Sequence, residues 1–256
     1  MDSAHVPQFR VKLASSEDEL RAAQRLRYRV FVEELGGDGP LVDHDARLER
    51  DRFDEWFDHL LLMDDARGGD VIGVYRVLRD DRARCAGQFY SEDEYDLDIL
   101  KRSGRRLMEL GRSCLDADYR GGAAMYHLWT GLAGYVAEHG IEILFGVASF
   151  HGTDPQELAQ PLSLLHHRHL APPPLRVRAQ PAHFQSMDLV PEADLDRRAA
   201  MLQVPALIKA YLRLGGYVGE GAFVDHDFNT TDICLVMDTT RMSEKQKTIY
   251  TKDAAG

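Results

Sequence analysis

The sequence predicts an α/β or α+β domain built around one sheet, and three features carry that expectation. Apolar runs short enough for strands alternate with longer segments of helical periodicity. Residues 107–148 read as strand, glycine turn, helix and strand. His59–Asp64 and Val71–Leu78 read as a hairpin joined around Gly68-Gly69. The 44% hydrophobic content is close to the globular average, and no repeat or low-complexity tract interrupts the pattern.

Taken in order, Gln8–Leu13 alternates weakly and forms a first strand. Ser16 with Glu19 is a capping-box signature, opening a helix to about Glu34 that turns Leu20, Leu26, Val30 and Phe31 inward. Gly36-Gly37 stop it, and residues 38–58 are polar, acidic and irregular. After the hairpin, residues 79–104 are charged and mixed, with a short helix near Leu97–Lys101. Leu107–Leu115 is an apolar strand carrying Glu109 and Arg112. Arg120-Gly121-Gly122 opens a helix with Leu128, Leu132 and Val136 on one face, Gly140 ends it, and Ile141–Ala148 is a buried strand. Asp154-Pro155-Gln156-Glu157 starts a helix to about His169, which Pro172-Pro173-Pro174 end. Leu175–Leu189 resembles one or two strands interrupted by Pro181. Pro205–Leu214 is amphipathic and helical, Gly221–Val224 and Ile233–Met237 close the sheet, and from Met242 the chain reads as a loose tail.

The net charge of −11 argues against nucleic acid as a partner, because phosphate backbones are bound by basic surface. Cys85, Cys114 and Cys234 are odd in number and scattered, which suits a reducing cytoplasm better than a disulfide framework. The N-terminus shows no apolar leader, and no run approaches the ~20 apolar residues that span a bilayer. A soluble or peripheral protein is the expectation.

Glu109 and Arg112 in an apolar strand are the sharpest anomaly. At i and i+3 they face opposite sides of a strand, so they need not pair with each other. Asp51, Asp54, Arg76 and Glu109 converge if their strands are neighbours, and such a set suits an amino acid: carboxylates for an ammonium, a guanidinium for a carboxylate. A structural ion-pair network is the alternative. Gly121-Gly122 before a helix is a weak phosphate signal. Cys114 has no visible base beside it, and small buried cysteines are common. His166-His167-Arg168-His169 diverge on a helix with no carboxylate at ligand spacing, so no metal is expected. Ser149 and His151 follow a strand and either reach the same cleft or belong to a hydrogen-bonded loop. Lys101, Arg102, Arg105 and Arg106 form a basic cluster that either docks an acidic partner or is simply solvated. Leu162, Leu164, Leu165 and Leu170, beside Arg168, Arg176 and Arg178, offer either a peripheral membrane surface or core packing.

The segments 26–37, 51–62, 71–78, 108–120, 148–155 and 207–233 resemble the ornithine–acyl carrier protein N-acyltransferases, GNAT-like enzymes of lyso-ornithine lipid synthesis. The resemblance covers roughly residues 8 to 238. It implies one GNAT-like domain over 1–240, with a central mixed, mostly antiparallel, splayed sheet flanked by helices and a family-specific extension from about 151; 241–256 would be a flexible tail. Arg27 and Phe31, Asp51 and Asp54, Arg76, and Glu109 and Arg112 match motifs shared with acyl-homoserine-lactone synthases. The tryptophan those synthases often carry is replaced near Gly37, which weakens that alternative. The phosphate turn lacks the leading basic or amide residue of acetyl-CoA-using relatives, as suits a donor with one phosphodiester. The usual GNAT tyrosine acid has no counterpart.

The resemblance implies transfer of a 3-hydroxyacyl group from acyl carrier protein to the α-amine of ornithine, without a tightly bound cofactor. Glu109, with Arg112, would be catalytic. Asp51, Asp54, Arg76, Arg27, Phe31, Ser149 and His151 would bind the amino acid. Ser113, Cys114, Leu115, Arg120, Gly121, Gly122 and Ala123 would hold the acyl-pantetheine arm, and Lys101, Arg102, Arg105 and Arg106 would dock the carrier. Glutamine as acceptor, a lactone synthase and a non-enzymatic carrier-binding module are the alternatives.

Overall fold

The computed structural model describes residues 6–226 and 228–242, so the tail expected beyond Met242 lies outside the described residues. The chain runs β1 (Phe9–Leu13), α1 (Glu17–Arg27), β2 (Asp58–Asp64), β3 (Asp70–Arg79), α2 (Asp80–Ala86), β4 (Tyr95–Asp96), α3 (Asp98–Lys101), β5 (Leu107–Leu115), α4 (Ala124–His139) and β6 (Ile143–His151). It continues with α5 (Ala159–His169), β7 (Arg178–Ala179), β8 (Phe184–Gln185), α6 (Arg197–Gln203), α7 (Ala206–Arg213), β9 (Tyr217–Val218), β10 (Ala222–Asp225) and β11 (Thr230–Asp238). Its described residues fall into two compact units, 6–78 with 110–140, and 79–109 with 141–226 and 228–242. Each is discontinuous in sequence, and the chain passes from one to the other within β5.

In the first unit β1 pairs antiparallel with β2, and β2 with β3, as the alternating pattern and the Gly68-Gly69 turn require. Both glycines have positive φ, 73° and 85°, which few other residues adopt without strain. Just past the end of β5 the Asp116 N–H donates to the Ile72 carbonyl of β3 at 2.8 Å. Ser16 caps α1 by accepting the Glu19 N–H at 3.3 Å, and the Glu19 carboxylate takes the Ser15 N–H at 2.8 Å. Ala23 and Leu26 of α1, with Val30, pack on Leu61, Met63, Val74 and Cys114. Beyond Arg27 the helix widens into a π-helical stretch, Tyr28–Glu34, of the kind that often marks functional sites. Helix α4 packs on β1 and β2, where a Cβ on Gly131 would stand 2.4 Å from Val11 Cγ1. Glycine permits that close approach.

In the second unit β5 and β6 run parallel for only three pairs, Leu107–Ile143 to Glu109–Phe145. The other ladders are antiparallel: β6 with β11, β11 with β10 and β9, β10 with β8, and β4 with β7. Pairing along the whole of β11 carries β6 to His151, so Ser149 and His151 are strand residues rather than loop residues. Helix α5 begins at Ala159 instead of Pro155, although Asp154 still accepts the Gln156 N–H at 2.8 Å. Pro161 explains the shift: it is tolerated in a first turn but would break the interior of a helix begun earlier. Leu162, Leu164 and Leu165 are buried, so these leucines pack inside and do not form a membrane-facing surface. No described helix is long and apolar enough to cross a membrane.

Candidate active site

The first unit buries a compact set of opposite charges. Helix α1 ends on Arg27, wholly buried, whose Nε donates to Glu49 and whose Nη1 reaches Asp54 at 2.6 Å. Arg76, on β3, grips Asp51 through both nitrogens at 2.9 and 2.8 Å and Asp54 at 2.6 Å. Arg112 completes the set, 3.1 Å from Glu49 and 3.6 Å from Asp51. Gln24 donates to the second Asp54 oxygen at 2.9 Å, and His59 sits beneath, donating to the Asp54 carbonyl at 3.1 Å. The C-terminus of α1, the loop before β2, and strands β3 and β5 thus bring together Arg27, Asp51, Asp54, Arg76 and Arg112; the sequence predicts convergence of Asp51, Asp54 and Arg76 with Glu109. Glu49 was not foreseen. Its signal was indirect: an arginine on a helix next to inward-facing Leu26 needs a buried counter-charge.

Burial alone would raise the Glu49, Asp51 and Asp54 carboxyls, but the surrounding guanidiniums outweigh it and hold all three below the usual range. Three carboxylates, ionised at neutral pH, therefore face three guanidiniums. Their exposure is graded. Asp51 and Arg112 side chains are 19% and 16% exposed, whereas those of Glu49, Arg27 and Arg76 are 2% or less and Asp54 is at 8%. The accessible margin is therefore one acid beside one guanidinium.

Arg112 reaches that margin through an irregular backbone, with φ of 50° inside β5. Its guanidinium lies 5.9 Å from the Phe31 ring centroid, and Arg76 lies 4.4 Å from that of Phe57, so aromatic faces steady two of the three cations. Cys114 is buried next in the strand, and burial pushes its thiol up to about 12, far from a nucleophilic thiolate at neutral pH. Gly111, Arg112 and Ser113 are half-buried. Among the described residues the Ser113 hydroxyl has no hydrogen-bond partner.

Glu109 is placed differently from the open base that its motif suggested. In the second unit it is 1% exposed, with Oε2 accepting the Tyr90 N–H at 2.7 Å. Oε1 accepts the Ser91 N–H at 2.7 Å and the Ser91 hydroxyl. Three donors from the turn at 89–92 thus surround the carboxylate. Three of the roughly four lone-pair sites of this carboxylate face donors from one turn, which makes Glu109 an anchor of that turn.

Residues 26–130 match the Acetyltransferase (GNAT) domain family. Over 252 residues the chain is 60% identical to an L-ornithine N(alpha)-acyltransferase of Rhodobacter capsulatus, covering 97% of this chain and 96% of that one. Another enzyme so named, from Brucella abortus, is 41% identical, covering 95% and 89%. The chain belongs to the L-ornithine N(alpha)-acyltransferase family. Its fold is shared with solved structures at low identity. MesI, a CoA-dependent acyl-homoserine lactone synthase, aligns with a TM-score of 0.54 and 13% identity over 96% of this chain and 97% of its own. FeeM, an N-acyl amino acid synthase from uncultured soil microbes, aligns at 0.51 and 13% over 92% and 93%.

In this ornithine acyltransferase family member, the remaining expected positions fall in several settings. Arg120, Gly121, Gly122 and Ala123 are exposed before α4, which has no side-chain cap, and Gly121 has φ of 76°. Arg120 donates to the Leu115 carbonyl at 2.9 Å and pairs with Glu34 at 2.7 Å. Ser149 and His151 are exposed on β6. Three cations of the basic run in the second unit are matched by acids, Lys101 with Glu92 at 2.5 Å, Arg102 with Asp98, and Arg105 with Asp238 at 2.6 Å, and the backbone N–H of Arg106 donates to the Glu142 carboxylate at 3.0 Å. His166 and His167 share a carboxylate from outside the helix, Asp188, at 4.0 and 3.2 Å, and the three could supply metal ligands within 4.8 Å of one another. The sequence expected no such carboxylate. His167 Nε2 also contacts the Val190 carbonyl at 3.1 Å.

Proposed function

We propose that the protein moves a 3-hydroxyacyl group from a phosphopantetheine thioester on acyl carrier protein to the α-amine of ornithine. The amine lone pair attacks the thioester carbonyl, the C–S bond breaks, and the thiolate leaves and takes up a proton as the amide forms. The observation that carries this reading is the partly accessible Asp51–Arg112 margin, one acid and one guanidinium 3.6 Å apart. An amino acid offers the complementary pair, with Asp51 taking an ammonium and Arg112 the carboxylate. Arg76 and Arg27 hold the carboxylates from behind, and Phe31 steadies Arg112.

Asp51, held acidic by Arg76 and Arg112, binds an ammonium better than it removes a proton. The α-amine of a free amino acid, beside its own carboxylate, is more basic than the ~8 of a chain-terminal amine. It is mostly protonated at physiological pH and gives up a proton to water before attack. Glu109, fastened to Tyr90 and Ser91, positions the 89–92 turn in this reading. The high Cys114 pKa supports direct transfer over an acyl-cysteine intermediate. Backbone N–H groups around Cys114–Leu115 would hold the arm and the oxyanion, and the uncapped start of α4 suits its single phosphodiester.

The test supplies purified protein with 3-hydroxyacyl–carrier protein and ornithine or glutamine, with mass detection of the amide. Ornithine amide is the expected product, and no ornithine amide, or glutamine amide alone, overturns the acceptor assignment. Asp51→Asn should raise the ornithine KM by about tenfold or more, with the donor KM little changed, as loss of a charged contact implies. Arg112→Lys, which retains charge but loses the fork, should shift the same constant. An unchanged ornithine KM in both variants removes this margin from acceptor binding.

A further inference from the structure

A cavity of about 230 Å³ opens on the first unit, lined in part by Asp116 and Tyr119, which lie between the segments proposed to hold the donor's arm. Arg25 from α1, Arg29 from the π-helical stretch and Arg67 from the β2–β3 turn converge there. Tyr119 forms a firm wall: its buried hydroxyl donates to Asp64 at 2.7 Å, and Arg67 lies over the ring at 5.5 Å. Asp116 is already committed, accepting from Arg29 at 3.0 Å and from the Asp118 N–H at 3.1 Å. Asp70 is the other acid of the lining. Arg25 and Arg67 are both exposed, and neither has a carboxylate at ion-pair distance among the described residues.

The contrast with the basic run of the second unit decides the assignment. Lys101, Arg102 and Arg105 face Glu92, Asp98 and Asp238, which offset their charge locally. A chain of net charge −11 repels an acidic partner over most of its surface, so encounter depends on a local excess of cations. Arg25 and Arg67 supply that excess next to Asp116 and Tyr119, in sequence between Cys114–Leu115 and Arg120–Ala123.

We propose that the Arg25–Arg29–Arg67 face docks the protein that carries the acyl donor, an acidic partner presenting its thioester on a phosphopantetheine arm. The assignment rests on the donor being carrier-bound, as proposed above. The test compares Arg25→Glu/Arg67→Glu with the unmodified protein, using the same 3-hydroxyacyl group on the carrier and on free pantetheine. The KM for the carrier-bound donor should rise by about tenfold or more, while the KM for acyl-pantetheine stays within about twofold. Added salt should raise the carrier KM of the unmodified protein more steeply than that of the variant. An unchanged carrier KM, equal losses with both donors, or a loss produced instead by Lys101→Glu/Arg102→Glu overturns the assignment. If the unmodified protein uses carrier-bound and free pantetheine donors equally well, the carrier-donor reading itself fails, and the docking face falls with it.

Discussion

Glu49 and Glu109 are both 1% exposed, and each is an ionisable group that burial alone would neutralise. They are stabilised by opposite means. In the first unit Glu49 lies between the guanidiniums of Arg27 and Arg112. In the second unit Glu109 is wrapped by two backbone N–H groups and a hydroxyl from one turn. The first arrangement joins charges brought from a helix, a loop and a strand, so removing one member strands others. The second is local, with Tyr90 and Ser91 donating from neighbouring positions in one turn. The same side chain therefore acts as a keystone among charges in one place and as the anchor of a turn in the other.

The harshest way to break that comparison is Glu49→Gln. It leaves Arg27 fully buried with an incomplete set of acceptors, and breaking a buried ion pair from one side costs about 3–5 kcal/mol. Urea unfolding should show the midpoint falling with the slope little changed. A loss below about 1 kcal/mol would mean that water or a rearranged Asp51 takes over, and the keystone account would fail.

Much of the first unit was readable because its signals are local. The Ser16 cap, the Gly68-Gly69 hairpin and the Gly140 stop follow from residues next to one another. The convergence of Asp51, Asp54 and Arg76 followed from placing strands side by side. Glu49 was hidden in an irregular acidic segment without periodicity. The Glu109 motif was legible but its surroundings were not, since Tyr90 and Ser91 donate from a turn with no sequence signature. Charges read along the basic run omit the partners that folding brings, Asp238 above all. The start of α5 was misjudged because the capping signal at Asp154 was weighed without Pro161.

A smaller effect should come from His59, which underlies the first unit's cluster. Burial, with Arg27 and Arg76 nearby, depresses its pKa to about 4, although Asp54 opposes the shift. The unfolded chain takes up a proton near pH 6.5 and the folded chain does not, so stability is complete above pH 6.5 and is lost as pH falls toward 4. A shift of this size corresponds to about 3 kcal/mol over the full window. The cluster carboxylates are depressed instead, so their contribution stays until pH falls below about 4. His166 and His169 are also depressed by burial and act in the same direction as His59. Measuring unfolding at pH 7.0 and 4.5 in the unmodified protein and in His59→Gln isolates the one residue. The variant should lose markedly less stability over that interval, and equal losses would assign the pH dependence elsewhere.

The mildest substitution, Glu109→Gln, sharpens the comparison most. The remaining carbonyl oxygen can still accept from both Ser91 donors, while the new amide nitrogen meets the Tyr90 N–H, so one contact becomes donor against donor. The expected loss is about 1–3 kcal/mol, the cost of one mismatched hydrogen bond, smaller than for Glu49→Gln, which breaks a buried ion pair. An anchor and a base then separate in the kinetics. If Glu109 anchors the turn, the variant keeps the shape of its pH–rate profile and loses turnover only in proportion to the loosened turn. If it is the base, turnover collapses and a limb of the profile disappears while the urea midpoint barely moves. The three donors already on its two oxygens favour the first outcome, and the second would return Glu109 to the chemistry.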